Sequence, residues 1–280
     1  MQSGQPSRTA LGAAGLRAAH QVLDHAAIFI DPLALRILGA DGDAMVRDAA
    51  NDASRQRLRW FIAVRSRIAE DAFALAYQHG VRQLVILGAG LDTYAYRTPP
   101  SQLRIFEVDH PATQAWKRER LAEASIAIPP ALSFVPVDFE RETLADGLSA
   151  AAFDPTQPTF FTWLGVVPYL TETAVFATLG FIAGLPGGAQ VVFDYVNPAA
   201  SMATRERRAA HQALAERVAA LGETLQCHFD SDALDAQLKT LGFREIEDFG
   251  PCEISQRFFP GRPPFSGGGG AHVLHATTMI

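Results

Sequence analysis

Two glycines and one carboxylate have the types and the spacing of a nucleoside-binding site. Gly88 and Gly90 follow an apolar run, and their G-x-G turn lets the backbone approach a ligand closely, with free N–H groups pointing at it. Asp109 comes 109 − 88 = 21 residues after Gly88. This spacing puts a carboxylate at the tip of the neighbouring strand, where it accepts both hydrogen bonds of a ribose diol. Glu107 has the same side-chain parity and competes for this role, and a helix N-cap before Pro111 is the other role open to Asp109.

The glycine turn lacks two features of other nucleotide sites. The third glycine of a dinucleotide fingerprint is absent, because Asp92 and Thr93 follow the turn. No lysine stands where a P-loop requires one. An NAD(P)-dependent oxidoreductase is therefore the alternative class of enzyme and not the favoured one.

Asp138 and Phe139 follow the third predicted strand at the same edge of the sheet. An acid next to an apolar ring suits an adenine, because the carboxylate takes the amino group and the ring packs against the base. A helix cap is the alternative role for Asp138.

Arg65 lies near the centre of the apolar face of a long helix predicted over residues 54–79, and Arg67 points to the opposite side. At about 100° per residue, that face also carries Leu58, Phe61, Ile62, Ile68, Ala69, Ala72, Phe73 and Ala76. A guanidinium in a buried stripe requires an anion, because burying it unpaired is prohibitive. The anion is either a ligand carboxylate or an internal acid such as Asp92 or Glu70.

The sequence TWLGVVPYLT ends the fourth predicted strand, whose carboxyl end should face the reacting part of a ligand. The pocket-lining candidates there and on the next strand are Trp163, Gly165, Tyr169 and Tyr195. Each aromatic residue is also typical of a core. The histidines that could act as a base are His20, His110 and His211, and the sequence gives none of them a partner.

The elements that position these residues alternate between apolar strands and helices. Helices are predicted over residues 11–23, 33–38 and 54–79, then 111–124 and 171–185; strands are predicted over 83–87, 104–108, 132–137, 159–164 and 190–196. Such continuous apolar strands indicate a doubly wound α/β fold with a parallel sheet. A final strand pair, 243–249 and 272–279, brackets a Pro/Gly-rich stretch and predicts a terminal hairpin.

Composition excludes several classes of protein. The 280 residues carry 24 basic and 30 acidic side chains, a net charge of −6, and no basic run typical of nucleic-acid binding. The two cysteines lack metal-ligand spacing, so we expect a reduced cytoplasmic protein without a metal. No signal peptide is recognised, and the longest apolar helix candidate, residues 174–185, is too short to span a membrane.

Four segments resemble the leucine carboxyl methyltransferase family of S-adenosylmethionine-dependent enzymes, particularly its bacterial branch similar to polyketide O-methyltransferases. They are RSRIAEDAFALAYQHGVRQLVILGAGLDTYAYR, FEVDHPATQAWKRERL, FVPVDFERETL and TWLGVVPYLT. The likeness runs from about residue 10 to the end and includes DPLALRIL and RFFPGR. GAGLDTYAYR with FEVDHP at its spacing is a specific combination.

The resemblance implies S-adenosylmethionine as the cofactor and a class I methyltransferase fold, with a mostly parallel seven-stranded sheet and an antiparallel strand near the C-terminus. Residues 1–280 are then expected to form one domain, with a helical cap (1–80), a cofactor-binding core (81–198), a helical insertion or lid (199–240) and the terminal hairpin (241–280). By the same resemblance, Arg65 holds the methionine carboxylate, Gly88 and Gly90 contact the cofactor, and Asp109 binds the ribose. Asp138 and Phe139 frame the adenine.

One departure from the family concerns the acceptor. Many relatives have a glutamate at the position of Leu164, and its absence leaves the substrate open. A carboxylate acceptor needs no general base, which suits a sequence without an evident His–acid pair. We therefore expect O-methylation of a carboxylate, or of an acidic phenol, on a small metabolite, with contacts from Tyr169, Tyr195 and an arginine of residues 205–208. A cofactor-binding protein without turnover is the alternative from another class.

Overall fold

Seven strands form one sheet in the computed structural model, which describes residues 7–97, 99–138, 142–202, 204–220, 222, 224–261 and 270–279. The strands are β1 (Gln83–Leu87), β2 (Arg104–Asp109), β3 (Leu132–Pro136), β4 (Thr159–Trp163), β5 (Ala189–Val196), β6 (Glu245–Phe249) and β7 (Ala271–Thr277). Their order is β3-β2-β1-β4-β5-β7-β6. β7 runs antiparallel to β5 and β6, whereas β1 with β2, β2 with β3, and β4 with β5 pair in parallel. The predicted mostly parallel sheet with an antiparallel last strand is confirmed.

Helices lie before the sheet and between its strands. They are α1 (Arg8–Leu23), α2 (Gly42–Asn51), α3 (Gln56–Gln78), α4 (Pro111–Glu123), α5 (Leu144–Ala150), α6 (Glu172–Ala183), α7 (Arg205–Ala220), α8 (Ser231–Leu241) and α9 (Pro251–Phe258). The predicted helices over residues 11–23, 54–79, 111–124 and 171–185 are confirmed with ends shifted by up to three residues.

The first five strands lie within one residue of their predicted bounds, because each is a short continuous apolar run. All five residues of β1 are buried, as expected for a parallel strand covered on both faces. In the parallel register, Leu87 at the end of β1 lies opposite Val108 of β2. The glycine turn that follows β1 and Asp109 at the end of β2 therefore lie at the same edge.

The chain divides into two compact units. The first comprises the residues up to Glu70 together with Arg82–Phe153, and the second comprises Asp71–Val81 together with the residues from Asp154 onward. In the first unit, a core cluster joins α1 to the segment after the glycine turn and to α4, through residues such as Ala14, Leu91 and Leu121.

Two short helical segments near the N-terminus differ from the prediction. Residues 33–38 were expected to form a helix, but the chain makes a turn there, followed by a 3₁₀ helix over Arg36–Asp41. The helix α2 was not predicted. It has ten residues, most of them polar or small, and only Gly42 and Ala49 are buried, so the segment offers too few large apolar side chains for a helix prediction.

The C-terminal strand pair is not the simple hairpin that was predicted. β6 and β7 do pair antiparallel, but the helix α9 lies between them and begins at Pro251, a residue favoured at the first helical position. The glycine run at residues 267–270 lies outside the described residues except for Gly270. Within the predicted lid, α8 buries Leu234 and Leu238 and contacts α6, so that part is a packed helix. A lid role for α7 stays a prediction.

Candidate functional site

The turn after β1 has the backbone that the predicted cofactor loop requires. Gly88 and Gly90 have φ angles of 62° and 43°, a region that side chains disfavour. A Cβ atom built on Gly90 would lie 3.0 Å from the Cβ of Ala10 on α1. The Ala89 amide donates to the Val108 carbonyl (3.1 Å), which fixes the turn against the end of β2. Glycine is therefore required at position 90 by both conformation and space.

Asp109 braces this turn. Its Oδ2 accepts the Gly90 amide proton (2.6 Å), and its Oδ1 accepts that of His110 (2.7 Å). Burial raises the pKa of Asp109, while these two amides act in the opposite direction. The N-cap of α4 is His110, whose Nδ1 accepts the Ala112 amide (3.2 Å), so Asp109 does not cap this helix. Each carboxylate oxygen retains capacity for a further hydrogen bond.

Glu107, the alternative to Asp109 as the ribose ligand, makes its side-chain contacts inside the protein. It is fully buried, its Oε2 lies 2.8 Å from the Lys117 ammonium, and the Tyr96 hydroxyl donates to the same oxygen (3.1 Å). Burial raises the pKa of Glu107 to about 7, although the charge of Lys117 opposes the shift. Asp109 is only half-buried. The geometry thus favours Asp109 over Glu107 as the ligand-facing acid.

Asp138 lies at the neighbouring strand end. It is half-buried, its amide donates to the Glu142 carboxylate (2.9 Å), and the Val137 amide beside it donates to the Asp109 carbonyl (3.0 Å). The cap of α5 is Thr143, so Asp138 does not cap the following helix. Phe139, the other predicted adenine contact, lies outside the described residues.

Arg65 is half-buried on α3 and not fully buried as the periodicity predicted, and Arg67 is exposed. The fully buried arginine of α3 is Arg59, which forms two hydrogen bonds to Asp24 (2.7 and 3.0 Å). The predicted face is buried at Ile62, Ala69 and Phe73, but the Arg65 side chain on it is only partly buried. Glu70, one of the two internal partners considered for Arg65, pairs with a different arginine.

That arginine is Arg97, part of a buried ionic network that the sequence did not reveal. Arg97 binds Glu70 and also lies 3.7 Å from Asp31. The fully buried Asp31 accepts from Arg17 (2.7 Å) and from the Thr93 hydroxyl (2.6 Å). Burial would raise the pKa of Asp31, but the two arginine charges and the hydrogen bonds outweigh it and hold the pKa below its usual value. The network ties α1 to the segment that follows the glycine turn.

The segment after β4 turns sharply at Gly165 (φ 73°), whose amide donates to the buried Asp194 (2.5 Å). Trp163 is buried against Phe193 and belongs to the core. Tyr169 is half-buried, and its carbonyl accepts from the Gln226 side chain (2.9 Å). A substrate contact by Tyr169 stays a prediction, whereas Trp163 is part of the core.

Tyr195 was predicted as a substrate contact, and the structure places it in an internal network instead. It is 1% exposed, and its hydroxyl bonds to Ser231 (2.8 Å), Asp248 (2.5 Å) and His272 (3.2 Å). Burial, with the Asp248 carboxylate, raises the pKa of Tyr195. With almost no exposed surface, Tyr195 cannot line a substrate pocket in this conformation.

Two of the three candidate bases have structural roles. His20 is buried, its Nδ1 lies 2.9 Å from Asp24, and its Nε2 accepts two backbone amides. His110 caps α4. Across the residues that the structure describes, no three ligand-type side chains converge as a metal site, and no helix is long and apolar enough to cross a membrane.

A comparison with known families decides the assignment. The family model described as leucine carboxyl methyltransferase matches residues 10–183, more than half of the chain. The chain belongs to the leucine carboxyl methyltransferase family. The family expected from the sequence is thereby confirmed, and the chain is similar to proteins described as putative S-adenosyl-L-methionine-dependent methyltransferases.

Two proteins that are similar in sequence agree with the assignment. The "Putative S-adenosyl-L-methionine-dependent methyltransferase YktD" of Bacillus subtilis is 36% identical over 70% of this chain and 66% of that protein. A protein of Mycolicibacterium smegmatis with the same description is 32% identical over 81% of this chain and 74% of its own. A Synechocystis magnesium protoporphyrin IX methyltransferase structure with bound SAH has a TM-score of 0.48 at 10% identity, covering 88% of this chain and 98% of that chain. The match spans just under two thirds of the Bacillus protein, so the acceptor and the activity of the whole protein are matters for proposal.

Proposed function

We propose that this family member transfers a methyl group from S-adenosylmethionine to a carboxylate oxygen of a small metabolite, or to the oxygen of an acidic phenol. The cofactor half of the proposal is carried by one observation: the half-buried Asp109 carboxylate is fixed beside the glycine turn by two amides, 2.6 and 2.7 Å away. When bound, the cofactor supplies an electrophilic methyl group on a sulfonium.

The residues of the first unit fit this cofactor. Asp109 would accept the ribose hydroxyls, and the positive φ angles of Gly88 and Gly90 match a turn whose backbone approaches a ligand closely. Asp138 and Phe139 would frame the adenine. Arg65, half-buried on α3, would bind the carboxylate of the methionine portion through a charge-assisted hydrogen bond.

The acceptor half of the proposal rests on what a base-free transfer requires. A carboxylate is ionised at neutral pH, so the protein has only to align its oxygen with the methyl group and exclude water. Tyr169 and an arginine of residues 205–208 are the proposed contacts; Arg205 is exposed, and Arg208 donates to the Met202 carbonyl. Leu164 is half-buried where many relatives have a glutamate, which supports an acceptor that needs no additional acid.

Calorimetry with S-adenosylhomocysteine and with NAD tests the cofactor half. We expect binding of S-adenosylhomocysteine alone; binding of NAD alone would favour the oxidoreductase. Methyl-labelled cofactor, incubated with matched aromatic carboxylic acids and phenols, tests the acceptor half. A methyl ester releases its label as volatile methanol in alkali, whereas an aryl ether or an N-methyl group does not. Tight cofactor binding without transfer across the panel would support a binding protein without turnover.

A further inference from the structure

His228 lies at the carboxyl ends of two neighbouring strands. The two residues before it donate their backbone N–H groups to the carbonyl of Pro168, in the turn after β4, at 2.7 and 3.3 Å. The residue after it, Phe229, donates to the carbonyl of Val196, the last residue of β5 (3.1 Å). In open α/β sheets, ligands bind outside the carboxyl ends of the strands. The loop that carries His228 is therefore anchored where an acceptor would be expected.

The helix α7 brings a second imidazole to the same place. The Nε2 atoms of His211 and His228 are 3.2 Å apart, with ring centroids 5.0 Å apart at an interplanar angle of 71°. Both side chains are half-buried. At this distance one Nε2 carries the proton and the other accepts it, so the donating ring has an unprotonated Nδ1.

The surroundings favour the neutral form of both rings. Burial lowers the pKa of His211, and burial together with His211 lowers that of His228. On α7, Arg208 donates to the Met202 carbonyl and Glu216 accepts from the Gln212 side chain. Burial, together with the negative charge of Glu172 on α6, raises the pKa of the thiol of Cys227, the residue before His228.

We propose that the His211–His228 pair is the general base for an O–H methyl acceptor. This inference rests on the proposed function and selects its phenol alternative, which needs a base, over its carboxylate alternative, which does not. The acceptor proton moves to the free Nδ1 of one ring, and that ring passes its Nε2 proton to the other. The acceptor oxygen forms a bond to the methyl carbon as the carbon–sulfur bond breaks, and the electron pair of that bond stays on sulfur. The pair then releases one proton to water.

Three probes separate a base from a merely structural pair: phenol, which keeps its proton at neutral pH, and pentafluorophenol and benzoate, which are ionised. The variants are His211→Gln, His228→Gln and the double variant, and the control is His79→Gln, an exposed histidine beyond the end of α3. Melting temperatures and the KM for the cofactor confirm that each variant is folded and binds.

The double variant should lose about 10²- to 10⁴-fold in kcat on phenol, the usual contribution of a general base, with little change on the two ionised probes. Its phenol activity should return as the pH approaches the pKa of phenol. The inference is overturned by an unchanged phenol rate, by an equal loss on all three probes, or by a wild type that methylates benzoate alone. A wild type that transfers no methyl group to any oxygen would instead refute the proposed function.

Discussion

The substitution Asp109→Asn tests the ribose site with a defined magnitude. A hydrogen bond to a charged group contributes about 1.5–3 kcal/mol and a neutral one about 0.5–1.5 kcal/mol, so replacing the charged acceptor of two ribose hydrogen bonds by a neutral one costs about 2–3 kcal/mol. Because each 1.4 kcal/mol is tenfold in affinity, S-adenosylhomocysteine should bind about 30- to 100-fold more weakly. Calorimetry measures this directly.

The same variant also disturbs the turn, and a second ligand pair separates the two effects. An asparagine amide would face either the Gly90 or the His110 N–H, which now donate at 2.6 and 2.7 Å. Adenosine should therefore lose more affinity than 2′,3′-dideoxyadenosine when Asp109 is replaced. Equal losses for the two nucleosides would show that the turn, and not the diol, was affected.

Glu107→Gln is the matched control on the same strand. Its carboxylate pairs with Lys117 at 2.8 Å inside the protein, so this variant should lower the melting temperature, because it leaves a buried ammonium without its counter-charge. It should leave the affinity for S-adenosylhomocysteine within a few fold. A larger affinity loss for Glu107→Gln than for Asp109→Asn would refute the assignment of the ribose ligand.

Three further predictions use variants of the first unit. Gly90→Ala should destabilise the protein by about 1–2 kcal/mol and weaken cofactor binding, because the φ angle of Gly90 is 43° and a Cβ atom there would crowd α1. Its control is Gly12→Ala, which lies in open space on α1 and should stabilise the protein by about 0.5–1 kcal/mol. Thermal denaturation measures both changes in stability. Arg65→Ala should weaken S-adenosylhomocysteine about 10- to 100-fold without affecting adenosine, which lacks the carboxylate, and the exposed Arg67→Ala should change neither. Asp31→Asn should cost about 3–5 kcal/mol at neutral pH, because it removes the anion paired with the buried Arg17 and leaves Arg97 with Glu70 alone. Since the folded pKa of Asp31 is lowered, its contribution is present above the ordinary aspartate pKa and is lost as the pH falls through the folded value, so acid titration should narrow the difference between wild type and variant.

The strands of the parallel part of the sheet could be predicted from the sequence, because each strand is marked by the residue types of its own short segment. Each of β1 to β5 is a short segment rich in apolar or β-branched residues, and the acid at the end of β2 could be placed from its distance to the glycines. The C-terminal region was less predictable, since Pro251 was interpreted as part of a loop although it begins a helix. A proline is compatible with both, and the short α9 has too few residues for periodicity to decide.

The side-chain partners could not be predicted, because they join residues far apart in the chain. Asp31 forms a hydrogen bond with Thr93, 62 residues later in the sequence, and Tyr195 forms one with His272, 77 residues later. No local pattern encodes such a pairing. The same limit applies to Arg65: a helical wheel locates its face, but the depth of burial depends on what packs against that face. The pairing of His211 with His228 likewise required the fold.

Carbon-13 NMR with methyl-labelled S-adenosylmethionine tests the central claim most directly, because it identifies the atom that receives the methyl group. The purified protein, the labelled cofactor and a panel of small carboxylic acids and phenols should give a new methoxy resonance, from a methyl ester or an aryl ether, together with S-adenosylhomocysteine. A labelled methyl group on nitrogen or carbon would contradict O-methylation. A protein that binds S-adenosylhomocysteine yet yields no labelled product would contradict methyl transfer to small-molecule acceptors itself.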